Sequence, residues 1–234
     1  MFSDFEINID YIINSKLFEG LTVAQIESFL NSTNYNIRRF KAGEDVPTDI
    51  DKSVFVLDGS VATYDNRPNG TKAFISTFEP STGCLIAISV IRPYPYENFV
   101  MGARKNSVVL YLETMSIMKP IPGMLSIQNT VQQNVIKIFY QMTGNVAERT
   151  FINTESYAST RIKEYLKLLY TRQDGDTITI PLKRTELADH LNMDISTINR
   201  KFNKLSEKGL INVKGKSVII LDTDKFKNYI FDNR

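Results

Sequence analysis

The chain has 234 residues, is 42% hydrophobic and 23% charged and carries a net charge of +2, which is typical of a globular protein with one large or two ordinary domains. No run approaches the ~18 apolar residues of a membrane span, and the acidic start MFSDFEINID is unlike a signal peptide, so we expect a cytoplasmic protein without a membrane partner. One cysteine and one histidine exclude an intramolecular disulfide, an iron–sulfur cluster and a paired-histidine metal site, so we expect no enzyme activity, metal or cofactor.

The N-terminal part of the chain is predicted to be helical and then β-rich. Within residues 7–31, IDYIINSKLFEGL and TVAQIESFL have helical spacing of apolar residues, and Thr22 is a suitable N-cap for the second helix. From Tyr35 to about Ile117, short runs rich in Val, Ile, Phe and Tyr alternate with turn residues at intervals of about ten residues. This pattern predicts an antiparallel sandwich or barrel.

A long helix is predicted from about Met124 to Asn153, and it carries a narrow seam. The seam positions are spaced by 4, 3, 4 and 3 residues: Val131, Val135, Ile138, Met142 and Asn145. Such spacing is typical of a coiled coil, in which a polar seam residue can fix the register. We therefore predict a homodimer through these five residues. The alternative is an ordinary helix of the protomer's own core.

The charge distribution changes after this helix. Residues 1–153 have a net charge of −2, whereas residues 154–234 have a net charge of +4. In the basic part, STRIKEYLKLLYTRQ predicts a helix, and GDTITIPL predicts a short extended segment. A surplus of this size is weak support for a polyanionic partner, because most charged faces are only solvated.

The stretch RTELADHLNMDISTINRKF, residues 184–202, predicts a helix-turn-helix. Asn192 separates two helical patterns, and asparagine adopts the left-handed conformation of a sharp turn more readily than most residues. Four residues earlier, Ala188 is small enough for the helices to cross, and six residues later Ile198 is an apolar anchor. Asp194 is expected to cap the second helix.

The residues that follow predict a wing. Gly209 is placed as a helix C-cap, and LINV and SVIIL are short strands joined by a KGK turn. A winged helix-turn-helix indicates binding of double-stranded DNA, although crossed helices also occur in protein-interaction modules. The predicted DNA contacts lie on both helices and the wing: Lys183, Arg184, Thr185, Asp194, Ser196, Thr197, Asn199, Arg200, Lys201, Lys204, Lys214 and Lys216.

The order of these elements resembles the Crp/Fnr family of bacterial transcription regulators. The family's N-terminal helices resemble LFEGLTVAQIESFL, and the entry to its β-roll resembles FKAGEDV. Its glycine-broken strand pair resembles VFVLDGSVATY, and the first helix of its DNA-binding domain resembles ASTRIKEYLKLL. The resemblance implies an α+β fold with an antiparallel, jelly-roll-like β-roll of the cyclic-nucleotide-binding type (1–123), a dimerisation helix and hinge (124–155) and a winged helix-turn-helix (156–234). It also implies a homodimer that binds a palindromic operator and contacts RNA polymerase.

The chain departs from the family's cyclic-nucleotide pattern. Members that bind cyclic AMP follow a roll glycine with Glu and later carry an Arg-Ser or Arg-Thr pair for the phosphate. In this chain Cys84 follows Gly83, and YENFVMGA (96–103) lacks the pair, so we predict no response to cyclic AMP. An unidentified effector, if there is one, is expected at Gly83, Cys84, Leu85, Ile86, Phe99, Val100 and Val146.

The second helix of the predicted motif departs as well. Many members present Glu in its first turn and Arg one turn later, whereas this chain has Ser196 and Arg200. Arg200 can still bind guanine, but the family's usual operator sequence is not carried over. Two alternatives stay open: a cyclic-nucleotide-responsive regulator with an atypical pocket, and a cupin-like metalloenzyme with a DNA-binding tail. Cys84 is either a redox switch or buried packing.

Overall fold

A computed structural model of the chain describes residues 4–48, 51–80, 98–215 and 217–231. The chain divides between Gly144 and Asn145 into a first unit, residues 1–144, and a second unit, residues 145–234. Among the described helices, none has the length and apolar character needed to cross a membrane.

Short helices open the first unit. They are α1 (Asp4–Ile13), a 3-10 turn (Lys16–Phe18) and α2 (Val23–Asn31). Thr22 caps α2 as predicted, because its hydroxyl accepts a hydrogen bond of 3.3 Å from the backbone N–H of Gln25. The side chain of Gln25 in turn accepts a bond of 2.9 Å from the backbone N–H of Thr22. The two bonds form a capping box, which fixes the start of the helix.

Within the described residues of the first unit, six strands form two antiparallel sheets, which confirms the predicted β-rich region. The strands are β1 (Tyr35–Phe40), β2 (Lys52–Asp58), β3 (Val61–Asn66), β4 (Lys72–Phe78), β5 (Phe99–Ala103) and β6 (Ser107–Glu113). One sheet has the order β1-β6-β2 and the other has the order β4-β3-β5. Gly59, between β2 and β3, has a φ of +86°. A Cβ at Gly59 would lie 2.3 Å from the carbonyl oxygen of Asn106, so glycine is required there.

The predicted long helix is confirmed. A short helix, α3 (Thr114–Met118), precedes it, and α4 extends over Leu125–Thr154. Val131, Val135 and Ile138 are only 0%, 8% and 2% exposed. They belong to the core of the first unit, where Met142 is packed against the same cluster, and Asn145 is exposed.

This burial bears on the predicted dimer seam. Val131, Val135 and Ile138 are core residues of the protomer, which is the alternative interpretation of their spacing. A helix that packs on its own domain needs an apolar residue every three or four positions just as a coiled coil does. A second apolar face of α4 remains exposed in the first unit: Ile136 at 67%, Phe139 at 42% and Tyr140 at 82%.

The second unit is a winged helix-turn-helix, as predicted. Beyond the end of α4 it contains α5 (Ala158–Arg172), β7 (Thr177–Thr179), α6 (Arg184–His190), α7 (Ile195–Glu207), β8 (Ile211–Lys214), β9 (Ser217–Ile220) and α8 (Thr223–Phe231). Its sheet has the order β7-β9-β8, and Lys214 pairs with Ser217 across the tip of the wing. Gly209 ends α7 with a φ of +66°, which confirms the predicted C-cap.

Candidate nucleic-acid interface

The turn between α6 and α7 is made by Asn192. Its φ is +49°, and no other non-glycine residue in the described ranges has a positive φ. The backbone N–H of Met193 donates to the carbonyl of Ala188 at 3.0 Å, closing the turn. Ala188 and Ile198 are 4% and 0% exposed, so the small residue and the anchor both lie inside the motif. These positions confirm the predicted helix-turn-helix.

Asp194 caps α7, as predicted. Its carboxylate accepts bonds from the backbone N–H of Thr197 at 2.7 Å and from the Thr197 hydroxyl at 2.8 Å, and it also accepts one from the Ser196 hydroxyl. The bond from Ser196, followed by those from Thr197, lowers the pKa of Asp194. Because its oxygens are occupied and negatively charged, Asp194 is placed to set the start of α7 rather than to meet a phosphate.

The two faces of α7 differ in polarity. Its buried residues are apolar: Ile198, Phe202 and Leu205. Its exposed or half-buried residues carry the donors and acceptors predicted to contact DNA: Ser196, Thr197, Asn199, Arg200, Lys201 and Lys204. The guanidinium of Arg200 is within 3.4 Å of the Thr197 hydroxyl and remains at the surface. Such a polar face matches the edges of base pairs in the major groove.

The predicted contacts at the start of α6 fall into two groups. Lys183 and Thr185 are exposed, whereas the guanidinium of Arg184 lies 4.1 Å from the centre of the Phe202 ring. Burial lowers the pKa of Arg184. Arg184 therefore packs α6 against α7 through a cation–π contact, whereas Lys183 and Thr185 are open to solvent.

The wing carries two predicted DNA contacts, and one of them lies within the described residues. Lys214 is exposed at the end of β8, next to Gly215, whose φ is +61°. Lys216 lies outside the described residues.

Three side chains that sequence reasoning missed bind the carbonyl groups at the C-terminal end of α6. Arg149 donates to the carbonyl oxygens of Asp189 at 3.0 Å and His190 at 3.2 Å. Asn153 donates to the His190 carbonyl at 2.9 Å. Arg161 donates to the carbonyl oxygens of Leu191 and Asn192, both at 2.9 Å. The positive charges of Arg149 and Arg161 are favourable at a helix C-terminus, and together with the neutral amide of Asn153 they hold the turn in place.

His190, at the end of α6, is held neutral. Burial, and then the nearby charge of Arg149, lowers the pKa of His190 to about 4. Its ring makes an edge-to-face contact with Tyr165, with 5.5 Å between ring centres. Burial also raises the pKa of Tyr165. Any charge acquired by His190 would therefore oppose the packing of α6 on α5.

We expect the second unit to lose stability as the pH falls from about 6.5 to about 4. The folded pKa of His190 lies below the ordinary value of 6.5, so the unfolded chain binds the proton first. The loss should reach about 3 kcal/mol. His190→Gln should remove this part of the pH dependence, which denaturation of both proteins at a series of pH values would measure. An NMR titration that gave the only histidine of the chain a pKa near 6.5 would contradict the expectation.

The residues predicted for an effector pocket are only partly described. Gly83, Cys84, Leu85 and Ile86 lie outside the described residues. Phe99 and Val100 are half-buried on β5, and Val146 is 64% exposed on α4. In the part of the chain that the structure describes, no group of three His, Cys, Asp or Glu side chains is placed to hold a metal ion.

Comparison of sequences supports this interface. Residues 160–229 match the family described as "Crp-like helix-turn-helix domain". The "Probable transcriptional regulator flp" of Lacticaseibacillus casei is 36% identical over 69 residues, which are 30% of this chain and 32% of that protein. The "Nitrogen fixation regulation protein FixK" of Bradyrhizobium diazoefficiens is 34% identical over 56 residues, 24% of each chain. The matched segments thus span about a third and a quarter of these relatives.

Comparison of folds extends over nearly the whole chain. A CooA mutant from Carboxydothermus hydrogenoformans superposes with a TM-score of 0.69 and 14% identity, covering 94% of each chain. At this identity the likeness concerns the fold, and it includes the helices and β-roll of the first unit as well as the second unit. The predicted α+β architecture is confirmed.

Proposed function

We propose that this chain is a transcription regulator of the Crp/Fnr type, which binds a palindromic DNA operator as a homodimer and regulates transcription in contact with RNA polymerase. The observation that carries the proposal is the geometry of α7. Its apolar face is buried in the second unit, and its start is fixed by Asp194, while the face with Asn199 and Arg200 is exposed. A helix held in this way can enter a major groove without rearrangement.

A second copy of the chain is the proposed occupant of the exposed apolar face of α4. Ile136, Phe139 and Tyr140 lie within two turns of one helix and are exposed in the protomer. A palindromic site requires two recognition helices related by a two-fold axis, and each chain supplies one. A contact between two copies of α4 would relate the two chains by a two-fold axis and would bury these side chains.

The proposed regulator does not respond to cyclic AMP. The proposal rests on sequence: Cys84 stands in place of the ribose-binding Glu, and residues 96–103 lack an arginine for the phosphate. A buried phosphodiester without a cation would be an uncompensated charge. Any effector would act instead by changing the balance between two arrangements of the dimer.

Comparison of Arg200→Ala with Lys183→Ala tests the function. Operator duplexes are first selected from a random library, and affinities for operator and random duplex are then measured. If Arg200 contacts a base edge, its loss should cost about 1–3 kcal/mol on the operator and much less on random DNA. Lys183→Ala should weaken both nearly equally, because Lys183 is placed for a phosphate.

One result would contradict this function, and another would change the assignment of its base contacts. Failure of the random library to yield any enriched sequence would contradict sequence-specific binding. Equal losses for Arg200→Ala on both duplexes would move base reading to Ser196, Thr197 or Asn199. Cyclic AMP, added as a third arm, should leave all these affinities unchanged.

A further inference from the structure

A basic cavity lies inside the second unit, where α5, α7 and α8 meet. Its volume is about 200 Å³, and its polar lining is formed by Ser159, Lys163, Lys201, Lys204 and Tyr229. It is therefore roomy enough for several water-sized groups. The apolar floor comes from Ile162 and Leu205 of the helix cores.

The charged side chains among the described lining residues are all positive. Three of its lining residues are lysines, and no described lining residue carries a carboxylate. A fourth cation is near, because the ammonium of Lys208 lies 4.9 Å from the centre of the Tyr229 ring, and that of Lys163 lies 5.1 Å from it. Cations gathered at a concave surface add their fields and focus a positive potential, which attracts an anion.

The end of a helix adds to this potential. Ser159 lies in the first turn of α5, whose N-cap residue, Tyr157, makes no side-chain capping bond. Helix N-termini carry a partial positive charge and direct N–H groups outward. Ser159 and Tyr229 also bring hydroxyl groups, which donate to phosphate oxygens.

We propose that this cavity is a phosphate-binding site, built from Lys163, Lys201 and Lys204 with the hydroxyls of Ser159 and Tyr229. The favoured source is a phosphodiester of bound DNA, and this part rests on the proposed function. Lys201 and Lys204 share α7 with Arg200, so the strand beside the groove that α7 enters is the nearest polyanion. Lys163, which lies on α5 outside the helix-turn-helix, then becomes a DNA contact. A free phosphate compound has the same chemistry and is the other source.

Salt dependence of binding to a random duplex is the first arm of the test. We compare the full-length protein with its variants Lys163→Gln and Lys204→Gln. Each lost phosphate contact should reduce the slope of log affinity against log salt by ~0.9 per subunit. Lys227→Gln is the matched control, because Lys227 is exposed on α8, lies next to Tyr170 and does not line the cavity. Its slope should equal that of the wild type.

Inorganic pyrophosphate is the probe of the second arm, without DNA and at constant ionic strength. If the cavity takes free phosphate, pyrophosphate should raise the melting temperature of the wild type and of Lys227→Gln, and not that of Lys163→Gln. A change in the salt slope alone assigns the site to the DNA backbone, and a pyrophosphate effect alone assigns it to a free compound.

The two arms separate failure of the site from failure of the function. A wild type that binds no duplex would refute the proposed function, and the pyrophosphate arm would still decide the cavity. If Lys163→Gln and Lys204→Gln behave like Lys227→Gln in both arms, the phosphate site is refuted while DNA binding stands.

Discussion

Replacing Ile136 and Phe139 together with Asp should give a folded monomer that binds its operator much more weakly. The two side chains are 67% and 42% exposed in the protomer, so the substitutions leave the core of the first unit intact. In the proposed dimer they would bring four carboxylates into an apolar contact, at a cost of several kcal/mol per buried charge. Light scattering measures the mass, and circular dichroism checks that the helices remain.

Two further variants serve as controls for this experiment. Gln141→Asp adds a charge on the same helix, about 140° around the axis from Ile136, and should leave the dimer unchanged. Val135→Asp with Ile138→Asp should instead unfold the first unit, because these side chains are 8% and 2% exposed and unpaired buried carboxylates exceed what a domain's stability tolerates. A stable dimer of the Ile136 and Phe139 double variant would place the interface elsewhere.

The two faces of α4 explain why spacing identified a long helix but did not show which face the protomer's own core covers. Val135 and Ile136 are adjacent in sequence and differ by about 100° around the axis. Each of them begins a series of apolar residues on its own face of the helix. Periodicity alone does not show which of the two faces is buried in the protomer's core. That choice depends on Phe18, Phe29 and Leu110, which pack in the core that receives Val135. These residues share a core cluster with Val135 but are far from it in sequence.

The turn at Asn192 was predictable for the opposite reason. Its left-handed conformation is a local requirement, and so is the N-cap at Asp194, so the residue types themselves carry the signal. The side chains that support this turn were not predictable. Arg149 reaches a carbonyl 41 residues away, and Arg161 reaches one 30 residues away. Basic residues on helices usually indicate only a solvated face.

Arg184 illustrates the same limit within the motif. Next to Lys183 in a basic pair, it was predicted to meet a phosphate, but its guanidinium lies over the Phe202 ring. A sequence shows that two neighbouring residues are cations. Only the packing of α6 on α7 shows that Arg184 is part of the joint between them and that Lys183 faces solvent.

Arg161→Ala should destabilise the second unit by about 3 kcal/mol and abolish operator binding. One guanidinium nitrogen of Arg161 donates to the carbonyl oxygens of both Leu191 and Asn192, and bonds from a charged donor contribute about 1.5–3 kcal/mol each. Without them the carbonyl oxygens of Leu191 and Asn192, just past the end of α6, lose these bonds, and the left-handed turn loses the side chain that braces it. Urea denaturation followed by the NMR signal of His190, the only histidine, reports on this unit alone.

Arg172→Ala is the matched control for that experiment. Arg172 lies on the same helix, α5, and forms a surface ion pair with Glu148, with side-chain exposures of 49% and 38%. An exposed pair of this kind contributes about 0–1 kcal/mol, so this variant should unfold nearly as the wild type does and should keep its operator affinity. Arg161→Lys retains the charge but not the planar guanidinium, and should fall between the two. Equal stability of Arg161→Ala and Arg172→Ala would mean that the turn at Asn192 is held by the packing of Ala188 and Ile198 without help from α5.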